Sequence, residues 1–185
     1  MQLKKIRIIP SVVLLTFCLC HAKAQNYKGA VGGRFGYGTG ISGLYHVQNG
    51  HVLEFLLRYG YHGLILNKPG FNVQALYQKH WAFRKNDAWT VFVGVGPAIG
   101  FGKKNHQSTQ KFVALGVSPQ FGIDYTTHRL RIPFVLALDY KPTLNGDFAV
   151  KNKSIKPKAD FSYYEIAFSA RFGIGENNRK RYKRR

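Results

Sequence analysis

The chain has 185 residues, a formal net charge of +20 and two cysteines, Cys18 and Cys20. Both cysteines lie in an apolar segment that follows a basic start and precedes an Ala-Lys-Ala sequence, a pattern typical of a secretory signal peptide over residues 1–24. This prediction excludes disulfide and thiol chemistry for the rest of the chain.

From residue 25 the sequence alternates between large apolar residues and small or polar ones, which is the period of a β-strand. Several segments are long for soluble strands and suit membrane-crossing strands, which need about 9–11 residues. We predict eight strands, with a long loop over residues 142–158 before the last of them. The predicted strands are residues 28–37, 41–47, 51–61, 71–83, 89–101, 113–125, 130–141 and 159–174.

The two faces of these strands differ, because one is large and apolar and the other carries the charges. A soluble ligand-binding barrel would enclose its apolar face, whereas a transmembrane barrel turns it toward lipid. Trp81, Trp89 and Tyr125 lie near strand ends, as interfacial aromatic residues do. The sequence therefore predicts an all-β fold, an eight-stranded antiparallel up-and-down transmembrane β-barrel over residues 25–175, with a basic tail at 176–185.

Charged residues recur on the polar face of the predicted strands. An eight-stranded barrel is just wide enough for side chains to fill it, and buried charges need partners. Mixed charge therefore predicts a salt-bridge network that closes the lumen; a narrow passive channel or ion path through Asp124, Asp139 and Glu165 is the alternative. Inward glycines such as Gly94 and Gly96 should leave room for side chains from opposite strands. The predicted network comprises Arg34, Glu54, Arg58, Asp124, Arg131, Asp139, Lys141, Glu165 and Arg171.

One short segment, His106-Gln107-Ser108, is similar to the His-x-Ser pair of outer-membrane lipid A deacylases. A serine activated by histidine is a sound nucleophile. The segment falls in a predicted loop with no carboxylate close in sequence, so we favour a solvated loop and predict no catalytic residues. The histidines are scattered singly, and we predict neither a metal site nor a cofactor.

Basic residues are concentrated in the predicted loops and in the tail. Positive side chains near a membrane are attracted to anionic lipid. We therefore expect contacts with outer-membrane lipid, lipopolysaccharide or other surface polyanions, and not with nucleic acid. The loop residues expected to make them are Lys103, Lys104, Lys151, Lys153, Lys156 and Lys158.

Residues 30–37, 91–101 and 138–142, with the ending Ala170-Arg171-Phe172-Gly173, resemble the small porin-like outer-membrane β-barrel proteins common in Bacteroidetes. The resemblance covers nearly all of the chain after the signal peptide. It implies a location in the bacterial cell outer membrane and insertion by the barrel-insertion machinery. An eight-stranded barrel needs no partner to close, so we expect a monomer. It carries no catalytic residues, and we expect a non-enzymatic structural or surface-interaction role.

Overall fold

The computed structural model describes residues 27–36, 38–48, 50–61, 69–83, 86–103, 111–127, 132–151, 154–162 and 165–176. Within these ranges no helix is long and apolar enough to cross a membrane. The strands are β1 (Tyr27–Gly36), β2 (Gly38–His46), β3 (His51–Tyr61), β4 (Pro69–Phe83), β5 (Asn86–Lys103), β6 (Lys111–Thr127), β7 (Phe134–Tyr140), β8 (Thr143–Lys151), β9 (Ser154–Ser162) and β10 (Ile166–Glu176).

The strand segments form a closed antiparallel barrel with eight staves. A stave here is one crossing of the barrel wall, made of one strand or of two strands in succession. β1 to β6 pair in sequence order. β7 and β8 pair with successive parts of β6, so together they form one stave. β9 and β10 form the last stave, since β9 pairs with β8, and β10 pairs with β7 and then with β1 to close the ring. The predicted all-β, eight-stranded, up-and-down barrel is confirmed.

The predicted loop over residues 142–158 is wrong, because most of it forms the β8–β9 hairpin. The two strands pair along their whole length. Gly146 and Pro157 belong to residue types that are uncommon in strands, but mutual pairing satisfies backbone groups that a loop would leave to solvent. Four of the basic residues predicted in loops belong to strands instead: Lys103, Lys151, Lys156 and Lys158.

The stave formed by β7 and β8 is interrupted at Lys141 and Pro142. Proline has no backbone N–H and cannot continue the ladder there. The Lys141 backbone N–H donates to the Glu165 carbonyl at 2.8 Å, which ties the interrupted stave to the start of β10. Both side chains are buried in the interior, so the interruption brings two opposite charges into the lumen.

The inner and outer surfaces of the wall have opposite polarity. On β3, Phe55 is 59% exposed and its neighbour Glu54 is fully buried. On β10, Phe172 is 55% exposed and Arg171 is 1% exposed. Since successive side chains of a strand point to opposite faces, the outside of the barrel is apolar and the inside is polar and charged.

Two glycine turns connect the first three strands. Gly38 joins β1 to β2 at a φ of 107°, and Gly50 lies before β3 at a φ of 77°. Glycine adopts such angles without the steric cost that a side chain brings.

The terminal end of the barrel is the end at which β1 begins and β10 ends.

Candidate functional site

The strand alternation turns a set of charged side chains into the barrel interior. Eight of the nine residues predicted for the lumen are buried there, and Arg131 lies outside the described residues. Four of the eight are cations and four are carboxylates, so their formal charges cancel. They are Arg34, Glu54, Arg58, Asp124, Asp139, Lys141, Glu165 and Arg171.

The first cluster of the lumen is built on Glu54. Arg171 Nη2 donates to Glu54 Oε1 at 2.6 Å, and Arg171 Nε donates to Ser42 Oγ at 2.5 Å. Gln78 Nε2 donates to Glu54 Oε2 at 2.6 Å and to Gln120 Oε1 at 2.8 Å. These contacts join β2, β3, β4, β6 and β10 across the interior. Glu54 and Arg58, four residues apart on one strand, therefore have different partners.

The second cluster is the ion pair between Arg34 on β1 and Asp139 on β7. Arg34 Nη1 donates to Asp139 Oδ2 at 2.6 Å, and Arg34 Nη2 donates to Asp139 Oδ1 at 2.5 Å. Their side chains are 1% and 0% exposed. Two parallel charge-assisted bonds of this kind set the orientation of both groups as well as neutralising them. The pair spans β10, which lies between the two strands.

The third cluster gathers two cations around Glu165. Arg58 Nη1 donates to Glu165 Oε1, and Lys141 Nζ lies 3.1 Å from the same oxygen. Thr143 Oγ1 donates to Glu165 Oε2 at 3.2 Å. Lys141 Nζ also donates to Gln74 Oε1, which connects the interruption in the wall to β4.

Asp124 is held differently from the other three carboxylates. It is fully buried, and its Oδ2 lies 3.2 Å from His80 Nδ1. Neither of its oxygens accepts a hydrogen bond from the described residues. His80 stacks on Phe92, with ring centroids 4.9 Å apart and an interplanar angle of 12°.

The protons on His80 follow from its neighbours. Gln78 Nε2 donates to the Glu54 carboxylate, so the Gln78 amide presents its oxygen to His80 Nε2 at 2.8 Å. An amide oxygen only accepts, so His80 Nε2 carries a proton. The contact between His80 Nδ1 and Asp124 Oδ2 is then attractive only when a further proton lies between the two atoms, on the ring or on the carboxyl group.

The glutamines are functional residues that sequence reasoning missed. Gln74 and Gln78 lie on the polar face of the predicted strand 71–83, but no bond to the charged groups was predicted for them. A primary amide both donates and accepts, so it can link a cation to a carboxylate or one cluster to the next. The signal available in the sequence was an amide side chain at an inward position of a strand that follows residues 51–61, which carry inward charges.

A small apolar cluster fills the interior at the terminal end, and it was also missed. Its described members are Tyr27, Ala30, Leu44, Val52 and Val135. Leu44 and Val52 occupy inward positions of strands that also carry inward polar residues, Ser42 on β2 and Glu54 and Arg58 on β3. This packing excludes solvent beneath the charged clusters, which strengthens their electrostatic interactions.

The inward glycines leave room for neighbouring strands and not for opposite ones, contrary to the prediction. A Cβ at Gly122 on β6 would lie 2.3 Å from Phe92 Cζ on β5. A Cβ at Gly94 on β5 would lie 2.7 Å from Gln78 Cγ on β4. Phe92 and Gln78 thus lie over glycines of the strands next to their own.

Of the residues expected to contact polyanions, Lys103 ends β5, Lys151 ends β8, and Lys156 and Lys158 lie in β9. Lys104 and Lys153 are outside the described residues, as are His106 and Ser108 of the deacylase-like segment. Within the described ranges, no group of three or more His, Cys, Asp or Glu side chains could hold a metal ion.

Comparisons with known proteins found no match for this chain. No protein-family model, no curated protein and no solved structure matches this chain.

Proposed function

We propose that this chain is an integral outer-membrane β-barrel protein with a structural or surface-interaction role and a lumen closed by its own side chains. The observation that carries the proposal is the reversed polarity of the wall. A soluble barrel with an exterior of this kind would expose an apolar surface far larger than soluble monomers tolerate. In a bilayer the same surface meets hydrocarbon.

Strand lengths support the membrane assignment. β1 has 10 residues, and β3 and β10 have 11 each. Tilted strands of about 9–11 residues cross the hydrocarbon core of a bilayer. Closure of β10 on β1 also pairs the two edges that lipid could not satisfy.

The contents of the lumen favour a closed barrel over a channel. The three clusters around Glu54, Asp139 and Glu165 connect strands from all sides of the ring. Opening a path would separate buried ion pairs, which costs several kcal/mol for each uncompensated charge. A passive pore is therefore disfavoured, and the protein acts through its surfaces.

Electrophoresis of the outer-membrane fraction tests the proposal. The full chain should remain in the membrane pellet after carbonate extraction, and it should migrate faster before boiling than after it. A control sample unfolded in urea before loading should migrate like the boiled one. Recovery of the chain as a soluble periplasmic protein would overturn the proposal.

A further inference from the structure

A groove runs along the outer surface of β1 and β2 near the terminal end. Its volume is about 530 Å³, within the range of about 300–1,000 Å³ that small-molecule sites occupy. Gly29 and Gly43 form part of its floor, and Val31, Phe55 and Ile174 contribute apolar walls. A Cβ added at Gly43 would meet no atom within 4 Å, so the groove is open above this residue.

A basic and aromatic band lies at the end of the groove nearest the chain termini. Lys28 and Tyr45 line the groove itself, and Lys28 Nζ lies 5.9 Å from the centre of the Tyr45 ring. Further along the same rim, Lys79 Nζ is 2.9 Å from His51 Nε2. His51 stacks on Tyr77 at a centroid distance of 5.5 Å.

The strand register makes the band continuous with the groove. Tyr45 on β2 lies opposite Leu53 on β3, which lies opposite Tyr77 on β4. Gly43 is two residues along β2 from Tyr45, on the same outer face. Cationic groups therefore lie at one end of an apolar trough.

We infer that this groove binds one anionic glycerophospholipid, with an acyl chain along Gly43 and the phosphate at Lys28 and Lys79. The inference rests on the proposed function, since it requires a bilayer around the barrel. Ammonium groups bind phosphate as point charges, and basic side chains at a membrane surface attract anionic lipid. The connections after β2 and β4, at the terminal end, are short, as the periplasmic turns of outer-membrane barrels are. With the termini on that side, the band meets the phospholipid leaflet and not the lipopolysaccharide leaflet.

The test uses the full chain purified in mild detergent after incubation with equal amounts of phosphatidylglycerol and phosphatidylethanolamine. Native mass spectrometry then counts the lipids that each barrel retains. The wild type should retain one phosphatidylglycerol in preference to phosphatidylethanolamine. Lys28→Ala with Lys79→Ala should reduce that preference by about fivefold for each lysine, since each is worth about 1 kcal/mol near a membrane surface.

Gly43→Leu should abolish retention of both lipids, because the new side chain occupies the groove, where its Cβ meets no other atom within 4 Å. The matched control is Val93→Leu, which enlarges an exposed apolar residue of β5 outside the groove and should retain lipid as the wild type does. Equal retention of the two lipids by the wild type, or unchanged retention by Gly43→Leu, would overturn the inference. Preferential retention of lipopolysaccharide, added in an equal amount in a parallel incubation, would do the same.

The same samples separate this inference from the proposed function. Each is also run boiled and unboiled on a gel. A heat-dependent shift without selective lipid retention rejects the lipid site and leaves the membrane barrel in place. Absence of the shift in the wild type rejects the proposed function and the lipid site with it.

Discussion

The centre of the lumen and its terminal end each contain a buried aspartate, yet the two are held in different ways. Asp139 accepts two hydrogen bonds from Arg34, at 2.6 and 2.5 Å. Asp124 accepts none from the described residues, and its Oδ2 lies 3.2 Å from His80 Nδ1. Arginine is always charged, whereas histidine can lose its charge. Burial alone therefore does not define the role of a carboxylate in this barrel, because its partner decides how firmly it is held.

Arg34→Met should cause the largest loss of stability, because it leaves Asp139 buried without its cation. Breaking a buried pair in this way costs about 3–5 kcal/mol of unfolding free energy. Urea unfolding of the refolded barrel, followed by tryptophan fluorescence, measures the change. Arg34→Met combined with Asp139→Leu should recover most of it, since no unpaired charge remains. A double variant as unstable as the single one would show that packing, and not charge, holds this position.

Gly122→Val should have an intermediate effect that links the two regions. Gly122 lies opposite Asp139 in the register and under the Phe92 ring that supports His80. A branched side chain there displaces Phe92, and overpacking of this kind costs about 1–3 kcal/mol. The same unfolding assay should show less than additive losses when Phe92→Ala is added. Strictly additive losses would mean that the two residues do not share this space.

Asp124→Asn should have the smallest effect, about 1 kcal/mol or less, because this carboxylate loses no hydrogen bond seen in the structure. Asp139→Asn is the matched control and should cost several times more. Unfolding of both variants at the same pH measures the difference. Equal losses would remove the distinction between the two aspartates.

The sequence predicted the barrel and the facing of its residues, because period-two alternation is a local property. Glu54, Gln78 and Arg171 were each predicted to point inward from their own strand. Their contacts depend on strand register and on which strands face each other across the ring, and neither is written in one strand's pattern. Arg34 and Asp139, for example, are separated by 105 residues in sequence.

The β8–β9 hairpin was missed for the opposite reason, since its local signals favoured a loop. Gly146 and Pro157 are unusual in strands. Pairing with β6 and with each other overrides that preference. The groove above Gly43 was also outside the reach of the pattern, since a glycine on the outer face reads only as a small residue.

The pairing of β1 with β10 closes the barrel, so it determines when folding can be completed. Arg171, on the last strand, meets Glu54 from a position 117 residues later in the chain. Contacts between such distant segments form slowly, because a long loop must first be ordered. The ring and the Glu54 cluster therefore cannot form until the last strand is available. A chain that lacks β10 would leave Glu54 without its arginine and two strand edges unpaired, so assembly should be all-or-none rather than stepwise.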